Sequence, residues 1–275
     1  FNGRTFDLPL LRTRYRQNYW ALSMDYDAIS MLEPERAHLD LLHPARRLWR
    51  RRLQSCRLIN LEEKILGLQR SDDDVPGHLI PQVYIDFTRT GNASEINNVF
   101  YHNREDIVSM VPLAEQLARV LSAAPDELDE ADLVGADWSS LGQSYERHGD
   151  LTSAERAYAR ALELIAEEKP LAEAFQRLGQ LQKRQERWEE ATSTWQRWIT
   201  TVADNDPHPY VELAKYCEWR SKDLEQAEMW TGWALHNLCS AAAWQRSAEL
   251  ITQLEHRLSR IQRKRASSPQ TDPET

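Results

Sequence analysis

The sequence predicts a predominantly helical protein in two parts, an α+β region at residues 1–122 and an all-α superhelix of repeated hairpins at residues 135–262. The second prediction rests on apolar residues that recur at helical spacing almost without interruption. The first rests on a resemblance of several motifs to a known family, because the residues themselves show only short apolar runs that alternate with Pro and Gly, as in DDDVPGHLIPQVY, and no repeat. The acidic stretch 123–134 is predicted to be a linker, and residues 263–275 have the composition of a disordered tail.

The composition is typical of a globular protein and argues against several other classes. A chain of 275 residues is long enough for two modest domains with a core each. It has no apolar run long enough to span a bilayer, and its first residues lack the basic and apolar pattern of a signal peptide. Its three cysteines are scattered, which favours unpaired, buried thiols in a reducing cytosol and no structural zinc site. We therefore expect a cytoplasmic protein.

The net charge of −9 is distributed unevenly along the chain. Residues 1–112 contain fifteen Lys and Arg against fifteen Asp and Glu, so the remainder carries the whole excess of acid. An acidic chain does not bind nucleic acid indiscriminately. Within the neutral part, however, the arginines cluster in HPARRLWRRRLQSCR, where Arg46 and Arg50 are predicted to contact a phosphate backbone. The alternative is that this Arg run is only a solvated helix face.

The second part contains a repeated sequence pattern. The first copy reads W-x2-LG-x2-Y and has as its marked positions Trp138, Leu141, Gly142, Tyr145, Ala154, Tyr158 and Ala161. The matching positions of the second copy are Phe175, Leu178, Gly179, Ala191, Trp195 and Trp198. A looser third copy, with one extra residue in its turn, has Tyr210, Leu213, Ala214, Cys217, Ala227 and Ala234. Small residues let two helices approach closely while aromatic residues fill the space between pairs, and the pattern resembles the tetratricopeptide repeat.

The resemblance to tetratricopeptide repeats implies a superhelix of paired helices, closed by an amphipathic helix in AAAWQRSAELITQLEHRLSRIQRKR. Grooves of such superhelices bind peptide segments or partner helices, so a protein partner is expected. Eight of the ten Trp residues lie in this part of the chain. Packing between repeats explains them more simply than an exposed aromatic groove does.

Four stretches of the first part are similar to one nuclease family. They are FNGRTFDLPLLRTRY, HLDLLHPARRLWRRRLQSCRLINLEEKILGL, DDVPGHLIPQVYIDF and VFYHNREDIVSM. Together they resemble the ribonuclease-H-like, DEDD-type 3′–5′ exonuclease superfamily, and most closely its YprB-like branch, in which helical repeats often follow the nuclease domain. The resemblance covers nearly all of residues 1–112. It implies a bacterial enzyme that hydrolyses single-stranded or 3′-terminal nucleic acid.

Members of this superfamily hold two divalent cations, usually Mg²⁺ or Mn²⁺, with four carboxylates, because hard cations favour oxygen ligands. By resemblance, Asp7 in FNGRTFD is the carboxylate of the second motif and Asn2 is the polar residue that faces the substrate. Asp106 is the carboxylate of the third motif. The first motif, an Asp-x-Glu on an early strand, would lie before Phe1. The resemblance therefore implies a truncated domain that is inactive, or nearly so, by itself.

Two residues compete for the role of the general base. Members of the superfamily that use His place it five residues before the third carboxylate, and members that use Tyr place it four before. Here Tyr101 is five residues before Asp106 and His102 is four before, so each type takes the other's usual position. A spacing of four puts His102 and Asp106 on one helix face, which favours His102. The alternative is that both residues only pack against or cap the start of a helix.

Two further acidic features are open to a simpler interpretation. Asp40, in HLDLLH, is expected at the end of a strand, either in a supporting role at the site or with no role there. The run Asp72, Asp73 and Asp74 precedes VPG and is interpreted as a turn.

Two other function classes remain beside the exonuclease. One is an adaptor, in which a degenerate nuclease fold binds nucleic acid or nothing and the function lies in the repeats. The other is a structural scaffold formed by the helical part alone. The unusual Tyr and His positions favour the adaptor slightly.

Overall fold

A computed structural model describes the chain at residues 1–22, 32–33, 35–71, 74–129, 132–203, 206–240 and 247–267. The chain divides into two compact units, Phe1–Leu128 and a second that begins at Asp129. This boundary falls within the stretch predicted to be a linker. No helix in the described ranges is long and apolar enough to cross a bilayer.

The first unit is built from helices. A single π-helical turn, Gly3–Asp7, leads into α1, and the helices are α1 Leu8–Leu22, α2 Leu42–Trp49, α3 Leu58–Lys64, α4 Ile80–Thr90 and α5 Ile96–Ser122. Its fully buried large apolar side chains include Leu48 and Trp49 of α2, Leu61 of α3 and Leu113 of α5. Burial of these large apolar side chains is the main force that holds the three helices together.

The expectation of an α+β first part is wrong for the residues that the structure describes, because no strand occurs among them. Residues 37–40, where a strand ending at Asp40 was expected, have no regular secondary structure. A strand needs a neighbouring strand to take up its backbone N–H and C=O groups, and none is present in the described ranges. Asp40 instead precedes α2 and is buried.

Helix α5 is longer than the sequence indicated. It begins at Ile96, so Tyr101 and His102 lie in its second turn and not at its start. It also continues without a break through Pro112. Proline leaves the carbonyl of residue i−4 without its helical donor. That residue is Val108, which is exposed, so water can take the place of the missing donor.

The second unit consists of helices in sequential pairs. They are α6 Gly135–Arg147, α7 Leu151–Leu164, α8 Glu168–Arg184, α9 Trp188–Thr201, α10 His208–Tyr216, α11 Leu224–Ser240 and α12 Ala248–Ser267. Each helix packs against the next one along the chain. This is the arrangement that the repeated pattern predicts: three helix pairs followed by a closing helix.

Two glycines show why the pattern needs a small residue. A Cβ atom at Gly142 on α6 would lie 2.5 Å from a ring carbon of Tyr158 on α7, and one at Gly179 on α8 would clash with the indole of Trp195 on α9. Both aromatic rings are fully buried. The glycines therefore let each pair of antiparallel helices close around an aromatic side chain, and the second pair repeats the first at a distance of 37 positions.

The third pair accommodates its extra residue in a helix and not in the turn. The chain forms a π-helical turn at Cys217–Ser221, directly after α10. A π-helical turn holds one residue more than an α-helical turn. A left-handed residue follows the first helix of each pair and marks the position of the turn. Glu186 comes 37 positions after Gly149, and Lys222 comes 36 positions after Glu186. Tyr210 comes only 35 positions after Phe175, so the added residue lies between Tyr210 and Lys222.

The end of the second unit differs from the prediction in two details. Helix α12 continues to Ser267, so residues 263–267 are helical and not part of a disordered tail. Residues 268–275 lie outside the described ranges. The three cysteines are unpaired, but only Cys56 and Cys217 are buried, whereas Cys239 is exposed.

Candidate nucleic-acid interface and ion-pair cluster

Arg70 is the centre of a charged cluster in the first unit. Its guanidinium donates two hydrogen bonds to Glu62, from Nε to Oε2 and from Nη2 to Oε1, both 2.6 Å long. Nη2 also lies 2.5 Å from Oδ1 of Asp106, and Nη1 lies 3.3 Å from Oδ2 of Asp74. The side chain is only 8% exposed. Three carboxylates from α3, α5 and the segment before α4 therefore share one nearly buried cation.

The charge of Arg70 is held firmly in this position. Burial disfavours the guanidinium and would lower the pKa of Arg70, but the hydrogen bonds and charges of Glu62 and Asp106 outweigh burial and raise it. Glu62 is itself buried and accepts a further hydrogen bond of 2.5 Å from the Ser109 hydroxyl. Arg70 thus binds Glu62 of α3 through a bidentate, charge-assisted contact. The contact of Arg70 with Asp106 and the hydrogen bond from Ser109 to Glu62 tie α3 to α5.

His102 is oriented by a carboxylate that the sequence did not suggest for this role. Its Nδ1 lies 2.7 Å from Oδ1 of Asp74. A carboxylate only accepts hydrogen bonds, so Nδ1 carries the proton and the contact of 3.2 Å between Nδ1 and Arg70 Nη1 is not a hydrogen bond. In the neutral ring Nε2 is then the acceptor, and it lies 3.6 Å from Oδ2 of Asp106. The spacing of four residues does bring His102 and Asp106 together on one face of α5.

Tyr101 faces a different neighbour. Its hydroxyl oxygen accepts a hydrogen bond of 3.1 Å from the backbone N–H of Ser71, and the guanidinium of Arg104 lies 5.0 Å from its ring.

Asp74 belongs to the run that was interpreted as a turn, and Asp72 and Asp73 lie outside the described residues.

Asp7 is exposed at the end of the π-helical turn. The described residues also contain no group of three or more His, Cys, Asp or Glu side chains arranged to hold a metal ion. In addition, one oxygen of Asp106 is taken up by Arg70. As they stand, these carboxylates do not form a complete centre for a divalent cation.

The three residues predicted to contact nucleic acid line one cavity. Asn2, Arg46 and Arg50 surround a cavity of about 630 Å³ between the start of the chain, α2 and the segment before α3. Arg57 adds a third guanidinium to the lining, and Leu42 adds an apolar edge. A concave surface with three arginines offers phosphate groups both charge and paired donors.

Asp40 fixes one wall of this cavity. Its carboxylate accepts hydrogen bonds from the backbone N–H groups of Asn2, at 2.8 Å, of Arg4, at 3.1 Å, and of Leu42, at 3.0 Å. Burial favours the protonated form, but these three hydrogen bonds outweigh it and lower the pKa of Asp40. The ionised carboxylate therefore joins the π-helical turn to the beginning of α2, and with it Asn2 to Arg46.

Sequence reasoning missed Arg70, Glu62 and Asp74 as members of the site. A weak signal was present, because Arg70 stands alone in the apolar and acidic context of LGLQRSDDD. A lone arginine next to several acids predicts an ion pair, but it does not reveal that the partners come from α3 and α5.

Comparison with known proteins finds two similarities. Residues 1–118 match the family model of the RNase H superfamily. The chain is also similar to the "Uncharacterized protein YprB" of Bacillus subtilis (strain 168), with 30% identity over 273 residues that cover 97% of this chain and 60% of that protein. The similarity thus extends over both units, and the chain spans less than two thirds of the length of this relative. No solved structure matches the chain. Residues 1–118 are therefore similar to the RNase H superfamily.

Proposed function

We propose that this protein is a metal-dependent 3′–5′ exonuclease that acts on single-stranded or 3′-terminal nucleic acid, and that the helix pairs of the second unit are tetratricopeptide repeats that hold a protein partner. The observation that carries the nucleic-acid part is the cavity lined by Asn2, Arg46 and Arg50, which lies within the residues that match the RNase H superfamily model. The close packing of Gly142 on Tyr158 supports the assignment of the repeats.

Each residue has a specific role in this proposal. Arg46 and Arg50 hold the phosphate backbone, and Asn2 faces the nucleotide that is removed. His102 orients or deprotonates the attacking water through Nε2, while Asp74 fixes its ring from the other side. Tyr101 is the second choice for the base.

Mg²⁺ or Mn²⁺ are the proposed ions, two in the complete site, with Asp7 and Asp106 as two of their ligands. When bound, such ions activate a water molecule and stabilise the charge that develops on the phosphodiester. The protein would act in a reducing, cytoplasmic environment.

A second candidate function is supported by the contact of Arg70 with Asp106. A guanidinium 2.5 Å from this carboxylate supplies the positive charge that a metal ion would otherwise bring. In that case the domain binds nucleic acid without hydrolysing it, and the protein is an adaptor whose partners are held by the repeats.

Binding can be tested with fluorescein-labelled 15-mers of dT and U, by anisotropy at two salt concentrations. The double variant Arg46→Gln/Arg50→Gln is expected to bind about tenfold more weakly and to show a salt dependence reduced by about 1.4 in log–log slope, since each lost single-strand phosphate contact removes about 0.7. The matched control is Arg14→Gln/Arg47→Gln, which removes the same charge from exposed positions. Equal affinities of the two double variants would refute the assignment of the cavity.

Hydrolysis is tested on the longest product of the gene with 5′-labelled oligonucleotides, in the presence of Mg²⁺, Mn²⁺ or a chelator. Metal-dependent shortening from the 3′ end is expected, with a loss of at least about a hundredfold in Asp106→Asn. The control is Asp86→Asn, an exposed aspartate on α4. Binding without hydrolysis under every condition would favour the adaptor, and equal activity of the two variants would remove Asp106 from the site.

A further inference from the structure

A second basic cavity lies in the second unit, at its closing helix. It has a volume of about 760 Å³ and is lined by Glu218 and Lys222 from the segment after α10 and by Arg260, Arg263 and Lys264 from α12. Four cations and one carboxylate therefore face the same space. This local excess of positive charge contrasts with the net charge of −9 of the whole chain.

Glu218 gives this cavity a rigid floor. Its side chain is fully buried and accepts hydrogen bonds from Arg260, at 2.8 and 2.9 Å, and from Lys264, at 2.9 Å. Arg257 Nη1 lies 2.9 Å from the same carboxylate. One turn of the π-helix is thus tied to two turns of α12, and the positions of Arg260 and Lys264 are set before any ligand arrives.

Lys222 and Arg263 make no ion pair within the described ranges, although both line the cavity. The acidic residues nearby are directed elsewhere. Glu228 and Glu225 pair with Arg265, and Asp223 accepts hydrogen bonds from Gln226. The positive charge of the cavity is therefore only partly neutralised by the protein.

An exposed aromatic ring lies beside the same cations. Trp219 is 51% exposed, which is unusual for a tryptophan. The ammonium of Lys264 lies 4.1 Å from the centroid of its ring, and the guanidinium of Arg260 lies 5.4 Å from it. The preceding residue Glu218 fixes the backbone of this segment. An aromatic surface and a group of cations are thus held next to each other.

We propose that this cavity and Trp219 form a second binding site, in which Lys222, Arg263 and their neighbours hold the phosphates of single-stranded nucleic acid and the indole of Trp219 stacks on a base. Cationic grooves with an aromatic platform are suited to single strands, because every base has a face that can stack and every nucleotide carries a phosphate. An acidic peptide would satisfy the cations but would not stack on the exposed part of the indole. The site goes beyond the proposed nuclease function, since none of its residues belongs to the first unit.

The test uses the complete chain and the same labelled 15-mers of dT and U. Lys222→Gln/Arg263→Gln removes two cations that do not contact Glu218, so folding is preserved. It is expected to weaken binding about tenfold at low salt and to reduce the log–log salt slope by about 1.4. The matched control is Arg147→Gln/Lys169→Gln, which removes the same charge from exposed positions of the same unit. Affinities of the two double variants that agree within twofold would overturn the proposal.

A second variant separates stacking from charge. Trp219→Ala is expected to weaken binding about tenfold without changing the salt slope, and Trp219→Tyr is expected to restore most of it, since base stacking on an aromatic ring is lost only in the first. Circular dichroism confirms that both remain folded. If a labelled deca-glutamate peptide binds the unmodified chain more tightly than either oligonucleotide, the site is for acidic peptides and the proposal is wrong.

The outcome can be separated from that of the cavity in the first unit. If Arg46→Gln/Arg50→Gln weakens binding and Lys222→Gln/Arg263→Gln does not, only the second site fails. If the reverse is found, the first interface fails and the second stands.

Discussion

The two units of this protein differ in how they deal with apolar surface. In the second unit the large aromatic residues Trp138, Tyr158, Trp195 and Trp198 are fully buried between paired helices. In the first unit α5 leaves Phe100, Ile107, Val108 and Val111 exposed along its length. Across the described ranges thirteen large apolar side chains are exposed in the first unit and five in the second. The repeated hairpins thus complete their own core, whereas α5 presents a face that nothing in the described ranges covers.

The units also differ in how they use buried charge. In the second unit Glu212 pairs with Lys183 of the preceding helix pair and Glu218 pairs with cations of α12, so each bridge joins neighbours in the stack. In the first unit Arg70 connects Glu62 with Asp106, which belong to different helices and lie 44 positions apart. Buried ion pairs in the second unit therefore link successive helices, whereas the polar cluster of the first unit links segments that are distant in sequence, in addition to the apolar core.

The largest effect is expected from the removal of Arg70. Arg70→Met keeps the length of the side chain but leaves Glu62 buried without its cation, and breaking one side of a buried ion pair costs about 3–5 kcal/mol. Hydrogen exchange measured by mass spectrometry should show faster exchange in α3 and α5 and unchanged exchange in α8. Arg14→Gln, at an exposed position, is the control. Protection that is lost equally in both units would show that the cluster does not order the first unit by itself.

The stability of the second unit is expected to depend on the glycine that packs against a buried aromatic ring. Gly179→Ala forces a methyl group against the buried indole of Trp195 and is expected to lower the free energy of unfolding by about 2–3 kcal/mol. Gly232→Ala on α11 meets no atom within 4 Å and should raise it by up to about 1 kcal/mol, since alanine favours the helix. Urea denaturation followed by tryptophan fluorescence measures both. A Gly179→Ala variant as stable as Gly232→Ala would contradict the close packing of α8 on α9.

The sequence alone predicted the second unit far better than the first, for a physical reason. Helix pairs such as α6 and α7 form contacts between residues close in sequence. The spacing of Gly142 and Tyr158 in the sequence therefore already indicates that they pack together. Even there, the extra residue of the third copy was placed in the turn, because spacing alone does not distinguish a longer turn from a π-helical turn at Cys217–Ser221.

The polar cluster of the first unit could not be predicted in the same way. His102 and Asp106 were placed on one face by their spacing, but Arg70 and Asp74 reach them across 28 to 36 positions that no local pattern relates. The expected strand failed for a similar reason, since strand pairing depends on segments that are distant in sequence.

A smaller effect is expected at the turn that Asp40 stabilises. Asp40→Asn should lower the free energy of unfolding by about 1–2 kcal/mol at pH 7, because a neutral amide accepts backbone hydrogen bonds less strongly than a carboxylate. The folded-state pKa of Asp40 lies below its unfolded value of about 3.9. The stabilisation is therefore fully present above about pH 4 and is lost as the pH falls through the folded-state pKa. Thermal unfolding from pH 7 to pH 3 should show the two proteins converging. Asp86→Asn is the exposed control, and a difference that persists at the lowest pH would exclude the carboxylate as its cause.

The smallest effect tests the exposed face of α5 itself. Val111 is 69% exposed and Val120 is fully buried on the same helix, so one substitution can be compared at both positions. Val111→Thr should change the free energy of unfolding by less than about 0.5 kcal/mol, because the hydroxyl remains in water. Val120→Thr should cost about 1–2 kcal/mol, since its hydroxyl enters an apolar core. Both are measured by urea denaturation at several protein concentrations. Equal costs at the two positions, growing with concentration, would mean that a second copy of the chain covers this face in solution, and the first unit would then bury its apolar surface by association as the second does by stacking.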